Sequence, residues 1–143
     1  MAGSIAGTLY AGAFKNTGLV SRSKRCTISN LTTGDVIPLL PVLKGESCVG
    51  FVMKLVSKPN KVVAAAEFGP DNDPNGMATD VGTGLGSDGT VGTEFFGNGA
   101  LMTPAAVEDA DNTIDGTFTV TAGPCTTDLV FDVQALFVTN SIA

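Results

Sequence analysis

The sequence predicts an all-β protein, an antiparallel β-sandwich of jelly-roll-like type with a long glycine-rich loop and an N-terminal arm or first strand. Three observations carry this. Apolar residues alternate with polar ones at a period of two in several segments, turn-forming residues separate those segments, and no stretch repeats apolar residues at helical spacing. At 143 residues the chain is long enough for one core, and no linker divides it, so one domain over residues 1–143 is expected.

Residues 1–18 set Ile5, Leu9, Tyr10 and Phe14 among glycines and alanines. They read either as a first strand or as an arm lying on a neighbouring molecule. The stretch has no basic leader and is too short to cross a bilayer, so neither a signal peptide nor a membrane anchor is expected. Residues 19–28 are mixed and basic, the pattern of a surface strand. Residues 36–42 are apolar but hold Pro38 and Pro41, which confines them to an edge strand or an extended segment. In 47–57, Val49, Phe51, Met53 and Leu55 alternate as an inward set. Lys58-Pro59-Asn60 then predicts a hairpin turn into 62–68, with Val62, Ala64, Ala66 and Phe68 inward.

Residues 69–103 form the glycine-rich excursion: nine of the eighteen glycines fall between 69 and 99. A loop of that length inside a compact domain is usually functional or poorly ordered. Thr103-Pro104 predicts a single helical turn, with Thr103 as cap and Pro104 at the first position. In 113–122, Ile114, Gly116, Phe118, Val120 and Ala122 share one face, and a threonine-rich wet face lies opposite. Gly123-Pro124 marks a turn. In 128–140, Leu129, Phe131, Val133, Ala135 and Phe137 share a face. The other face ends in Leu136 and Val138, which suggests a central strand or one covered by another subunit.

Charge is divided along the chain. All eight lysines and arginines lie in the first 61 residues, where two acids leave +6; from Val62 onward there are twelve acids and no base, hence −12. Such a division predicts surfaces of unlike sign that steer contacts with partners or with copies of the chain. The acidic balance argues against a general nucleic-acid binder. No histidine is present, which removes the commonest general base and metal ligand. Cys26, Cys48 and Cys125 are too few and too widely spaced for a disulfide framework or a zinc site, and are expected to be buried reduced thiols, consistent with synthesis in the cytoplasm.

Several short motifs have plain readings. Gly84-Leu85-Gly86-Ser87-Asp88-Gly89 spells a dinucleotide-binding fingerprint without the strand and helix that fingerprint requires. Asp71, Asp73 and Asn75 are oxygen ligands at alternate positions, a weak alternative for a divalent cation, but the glutamate that completes an EF-hand loop is missing. A solvated turn is the better reading, and no metal or cofactor is expected. Glu108, Asp109, Asp111 and Asp115 crowd a polar stretch where solvation is the default. Arg22, Lys24 and Arg25 form the one basic cluster, suited to an acidic protein surface. Phe95 and Phe96 are the only adjacent aromatic pair.

The order of segments is similar to a known group. Gly34-Asp35-Val36-Ile37-Pro38-Leu39 leads to Lys44-Gly45-Glu46 and the strand of 49–56. The acidic loop of 69–76, Asp109-Ala110-Asp111-Asn112-Thr113-Ile114 and the strand of 128–140 follow. Over residues 34–140 this resembles small β-sandwich virion proteins of tailed bacteriophages: head decoration or cement proteins, or head-fibre and knob components. The resemblance implies a non-enzymatic virion protein, made in the host bacterial cytoplasm, that binds the outside of an assembled capsid and stabilises it. The partner it implies is the lattice of the major capsid protein, with self-association, most simply as a trimer, and with no nucleic acid or membrane. Candidate contact residues are then Ile5, Leu9, Tyr10, Phe14, Arg22, Lys24 and Arg25. The alternative it leaves is a fibre or tail-tip module that binds a host receptor or glycan.

Overall fold

The fold is that of a computed structural model, which describes residues 18–79 and 81–139. Its strands are β1 (Leu19–Ile28), β2 (Val36–Val42), β3 (Glu46–Ser57), β4 (Val63–Gly69), β5 (Glu94–Phe96), β6 (Asn112–Val120) and β7 (Leu129–Thr139), with one 3-10 turn at Gly82–Leu85. They form two antiparallel sheets, one in the order β1-β7-β3-β5 and one in the order β2-β6-β4. The expected arm, with Ile5, Leu9, Tyr10 and Phe14, lies outside the described residues.

The pairing is nested. β1 pairs with β7, β2 with β6, and β3 with β5, and β4 meets the returning chain at a single antiparallel bridge between Phe68 and Ala78. The chain is thus one long double-stranded ribbon. Wrapping that ribbon adds the pairs β3·β7 and β4·β6, which is the jelly-roll arrangement of two packed sheets.

The inner faces interdigitate around phenylalanines. Phe68 from the three-stranded sheet stands 5.9 Å from Phe51 and 6.3 Å from Phe131 of the facing sheet, and 5.7 Å from Phe118 beside it. Leu55, Met53, Val133, Phe137, Leu129 and Ile114 are wholly buried around them. The period-two reading of β6 and β7 holds: Ile114, Gly116, Phe118 and Val120 are inward on β6, and Leu129 through Phe137 are inward on β7. β7 lies between β1 and β3, a central strand. β2, with its two prolines, is an edge strand.

Three expectations are corrected. Lys58-Pro59-Asn60 makes no hairpin, because β3 and β4 belong to different sheets; the segment crosses between layers. Alternation reveals which face is buried, not which sheet a strand joins. Asn60 secures the crossing by donating from Nδ2 to Thr126 Oγ1 at 2.7 Å and accepting from the Thr126 amide at 2.9 Å. On β4 the register shifts between Val63 and Ala65, so Val63 is buried and Ala64 and Ala65 are both exposed, while Ala66 and Phe68 return inward. A β-bulge of this kind breaks the period of two. Ala122 leaves the strand altogether, exposed and with φ of +64° in the turn.

The glycine-rich excursion is built into the fold. Met77, Ala78, Val81 and Leu85 are buried beneath it, and Asn98 clasps Thr79 by two hydrogen bonds of 2.8 and 3.1 Å. The fingerprint-like glycines serve packing: a Cβ on Gly84 would stand 2.2 Å from the Phe95 ring, and one on Gly89 would stand 2.2 Å from the Gly84 carbonyl oxygen. Thr103–Ala106 closes one turn, with the Ala106 amide donating to the Thr103 carbonyl at 3.1 Å.

Candidate functional site

The outward face of the four-stranded sheet carries the most chemistry. Register fixes its rows. Arg25 lies opposite Asp132, Asp132 opposite Lys54, and Lys54 opposite Glu94. One line of side chains therefore crosses all four strands with alternating sign, an arrangement that cross-strand pairing favours. The adjacent row runs Ser23, Gln134, Val52, Phe96. Together the two rows line a concavity of ≈ 560 Å³ that also includes Lys24 and Val133.

Within this surface Arg25 grips Asp132 with two hydrogen bonds, Nε to Oδ1 at 2.8 Å and Nη2 to Oδ2 at 3.0 Å. The Arg25 hydrogen bond outweighs the effect of burial and, with the charges of Arg25 and Lys54, holds the Asp132 carboxyl below the usual carboxylate range. It stays ionised near neutral pH, which suits recognition better than proton transfer. Gln134 donates to Ser21 Oγ at 3.1 Å. Phe96, on the edge strand, is 67% exposed, whereas its neighbour Phe95 turns in against the core. The alternation on β5 divides the aromatic pair between the two faces.

The basic cluster is divided as well. Arg25 and Lys24 are at the concavity, but Arg22 is engaged within the chain. Its guanidinium meets Glu46 at 2.7 and 2.8 Å, donates to the Pro41 carbonyl at 3.1 Å, and lies over the Phe137 ring at 4.7 Å from the centroid. The Glu46 side chain is only 5% exposed and that of Arg22 18%. Glu46 was not singled out by the sequence reading. Its signal was slight: an acid at the start of an apolar strand, three residues after Leu43, whose amide donates to Glu46 Oε1 at 2.7 Å.

The end of the sandwich around this pair gathers β1's start, β2's end, β3's start and β7's end. The Thr139 amide donates to the Gly18 carbonyl at 3.1 Å, and Glu108 exchanges backbone hydrogen bonds with Glu46 and Gly45 at 2.9 and 2.8 Å. Leu19, Leu43 and Val107 are exposed at this end. Glu108, expected to be solvated, is buried here, and burial with the neighbouring Asp109 pushes its carboxyl up.

Of Asp71, Asp73 and Asn75, Asp71 meets Asp115 across a second concavity of ≈ 220 Å³, lined also by Val36, Pro70, Pro74 and Thr117. Burial pushes the Asp115 carboxyl up and Asp71 adds to this, against a 2.7 Å hydrogen bond from Thr113 Oγ1. Among the described residues no group of three or more histidine, cysteine, aspartate or glutamate side chains comes together as a metal site. Cys26, Cys48 and Cys125 are buried and unpaired; burial pushes all three thiols up, Cys48 to about 11.

The division of charge along the sequence does not become one basic face and one acidic face. Arg25 and Lys54 on the four-stranded sheet are matched in the same row by Asp132 and Glu94, whereas Glu67 on β4 and Asp115 on β6 stand on the other sheet, with Asp71 above them.

No family model matches the chain, and no curated protein matches it. Among solved structures, the fold is similar to a chain of the cyanophage Pam1 capsid asymmetric unit, with TM-score 0.64 and 9% identity over 87% of this chain and 86% of that one. It is similar to a chain of the acidic stable capsid of Helicobacter pylori bacteriophage KHP30, with TM-score 0.51 and 12% identity over 89% and 96%. A chain of the Ralstonia phage GP4 capsid gives TM-score 0.51 and 17% identity over 89% and 88%. In each case the likeness spans most of both chains, and it is a likeness of fold.

Proposed function

We propose that this protein is a non-enzymatic structural component of a phage virion that binds the outside of the assembled capsid and stabilises it. The observation that supports the reading most is the end-to-end likeness to chains of three phage capsids. On the four-stranded sheet, the doubly hydrogen-bonded pair of Arg25 and Asp132, with the Asp132 carboxyl held below its usual range, fits a binding role better than proton transfer.

In this reading the attachment end is the one bearing Leu19, Leu43 and Val107. The segment holding Ile5, Leu9, Tyr10 and Phe14 joins the fold there, immediately before Leu19. Arg22 braces that end from within and Arg25 is held by Asp132, which leaves Lys24, exposed on β1, as the base of the cluster that meets an acidic shell. A protein that binds only the assembled lattice stabilises that state by linkage. Small energies per copy add over the many sites of a symmetric shell, and a trimer at a three-fold position is the simplest self-association.

The test uses particles of the encoding phage made with and without this chain. Antibody label over the head, together with release of the genome at lower temperature when the chain is missing, is the expected result. Label confined to the tail, or unchanged heat resistance, overturns the reading.

A further inference from the structure

The concavity on the four-stranded sheet is not needed for attachment at the end of the sandwich, and its chemistry is unlike that of a charged docking patch. Arg25, Asp132, Lys54 and Glu94 alternate in sign along one row and sum to zero. With Lys24 also in the lining, a polyanion would meet two carboxylates there and a basic partner three cations. Long-range attraction to either is weak. What the row offers is a line of fixed donors and acceptors in alternation, spaced by the strand separation of about 4.8 Å and so roughly 14 Å long.

A hydroxyl group both donates and accepts. A ligand with many hydroxyls can therefore accept from Arg25 and Lys54 and donate to Asp132 and Glu94 along their exposed edges, without parting the Arg25–Asp132 pair. Phe96 lies at the edge of the same surface with its ring 67% exposed, a flat apolar face suited to the C–H face of a pyranose ring. Gln134, exposed in the next row, adds an amide that donates and accepts. The volume of ≈ 560 Å³ is within the usual range of small-ligand sites, about 300–1,000 Å³.

From this arrangement we infer that the outer face of the four-stranded sheet binds a neutral oligosaccharide, with Phe96 as the stacking platform and the row from Arg25 to Glu94 as the hydroxyl-binding track. The inference goes beyond capsid attachment and does not depend on it. On a particle bearing many copies, weak individual binding would sum to strong adhesion to a glycan-coated surface.

The test is NMR titration of the isotope-labelled chain with neutral hexasaccharides of glucose, mannose and N-acetylglucosamine, each to about 10 mM, enough to load a millimolar site. Saturable shifts centred on Phe96, Gln134 and Lys54 are expected for at least one sugar. Phe96→Ala should weaken that binding about tenfold. Gln134→Ala should weaken it too. Both side chains are exposed, so the variants keep the wild-type fold and spectrum elsewhere. Three findings each overturn the inference: no shifts at this surface with any of the three sugars, equal binding by both variants, or saturation by an oligo-glutamate peptide at lower concentration than by any sugar. Failure of the sugar titration with head labelling intact would leave the capsid reading standing, so the two are separable.

Discussion

Replacing Arg22 by methionine removes half of a buried pair and leaves the other half in place. Glu46 would keep its hydrogen bond from the Leu43 amide but lose two from Arg22, at a position where the side chain is 5% exposed. Breaking a buried ion pair on one side costs about 3–5 kcal/mol, a large share of the total stability of a domain, about 5–15 kcal/mol. At this length 1 kcal/mol moves the melting temperature by roughly 3–4 °C, so Arg22→Met should melt about 9–20 °C lower. Urea unfolding at neutral pH should show a lower midpoint with unchanged slope. Replacing both members, Arg22→Met with Glu46→Leu, should recover most of the loss, leaving about 1 kcal/mol for the unpaired Leu43 amide. The pH dependence gives a second check. Burial pushes the Glu46 carboxyl up, but the Arg22 hydrogen bond, the Leu43 amide and the Arg22 charge together hold it below its usual range. That stabilisation is present above the unfolded-state pKa and is lost as pH falls through the folded value. In Arg22→Met the sign reverses, because an unpaired buried carboxyl is easier to protonate, and the variant should gain stability on acidification. A loss below about 1 kcal/mol, the size expected of an exposed pair, would refute the reasoning.

Asp71→Asn should raise stability near neutral pH and leave it unchanged in strong acid: Asp115 is pushed up by burial and by Asp71, so its contribution is complete below the unfolded pKa and lost as pH rises through the folded one. Thermal melts across pH would show this, and a variant less stable than wild type at pH 7 would contradict it. Phe131→Ala should cost about 3–5 kcal/mol by opening a cavity beside Phe68, measured by urea unfolding; a loss below about 1 kcal/mol would mean that the core closes over the gap. The three thiols should resist a thiol reagent at mildly alkaline pH in the native protein and react fully in denaturant, given their burial and the Cys48 pKa of about 11; rapid labelling of the folded chain would count against the core as described.

The strands were legible where alternation was unbroken. β6 and β7 bury the residues their patterns predict, since side chains on a pleated strand alternate without exception until a bulge intervenes. β4 shows the limit: its sequence reads as a regular inward set, and one shifted residue between Val63 and Ala65 exposes Ala64. Sheet membership was not legible, because β3 and β4 each bury a face against one shared core from opposite sides. The binding surface was half visible. Lys24 and Arg25 stood out as a basic cluster, but Asp132, Lys54 and Glu94 are scattered in sequence and align only through the strand order β1-β7-β3-β5. Arg22 illustrates the reverse, a residue grouped with its neighbours in sequence and separated from them by a carboxylate twenty-four positions away.

The strand order also fixes when the protein can take shape during synthesis. β7 holds the middle of its sheet, and β1 touches that sheet through β7 alone. Until Leu129–Thr139 has left the ribosome, more than a hundred residues must wait with Phe68 and Phe118 facing an incomplete wall. Topologies dominated by such distant pairings fold slowly and pass through an aggregation-prone interval. Each nascent chain stays exposed until β7 slides between β1 and β3.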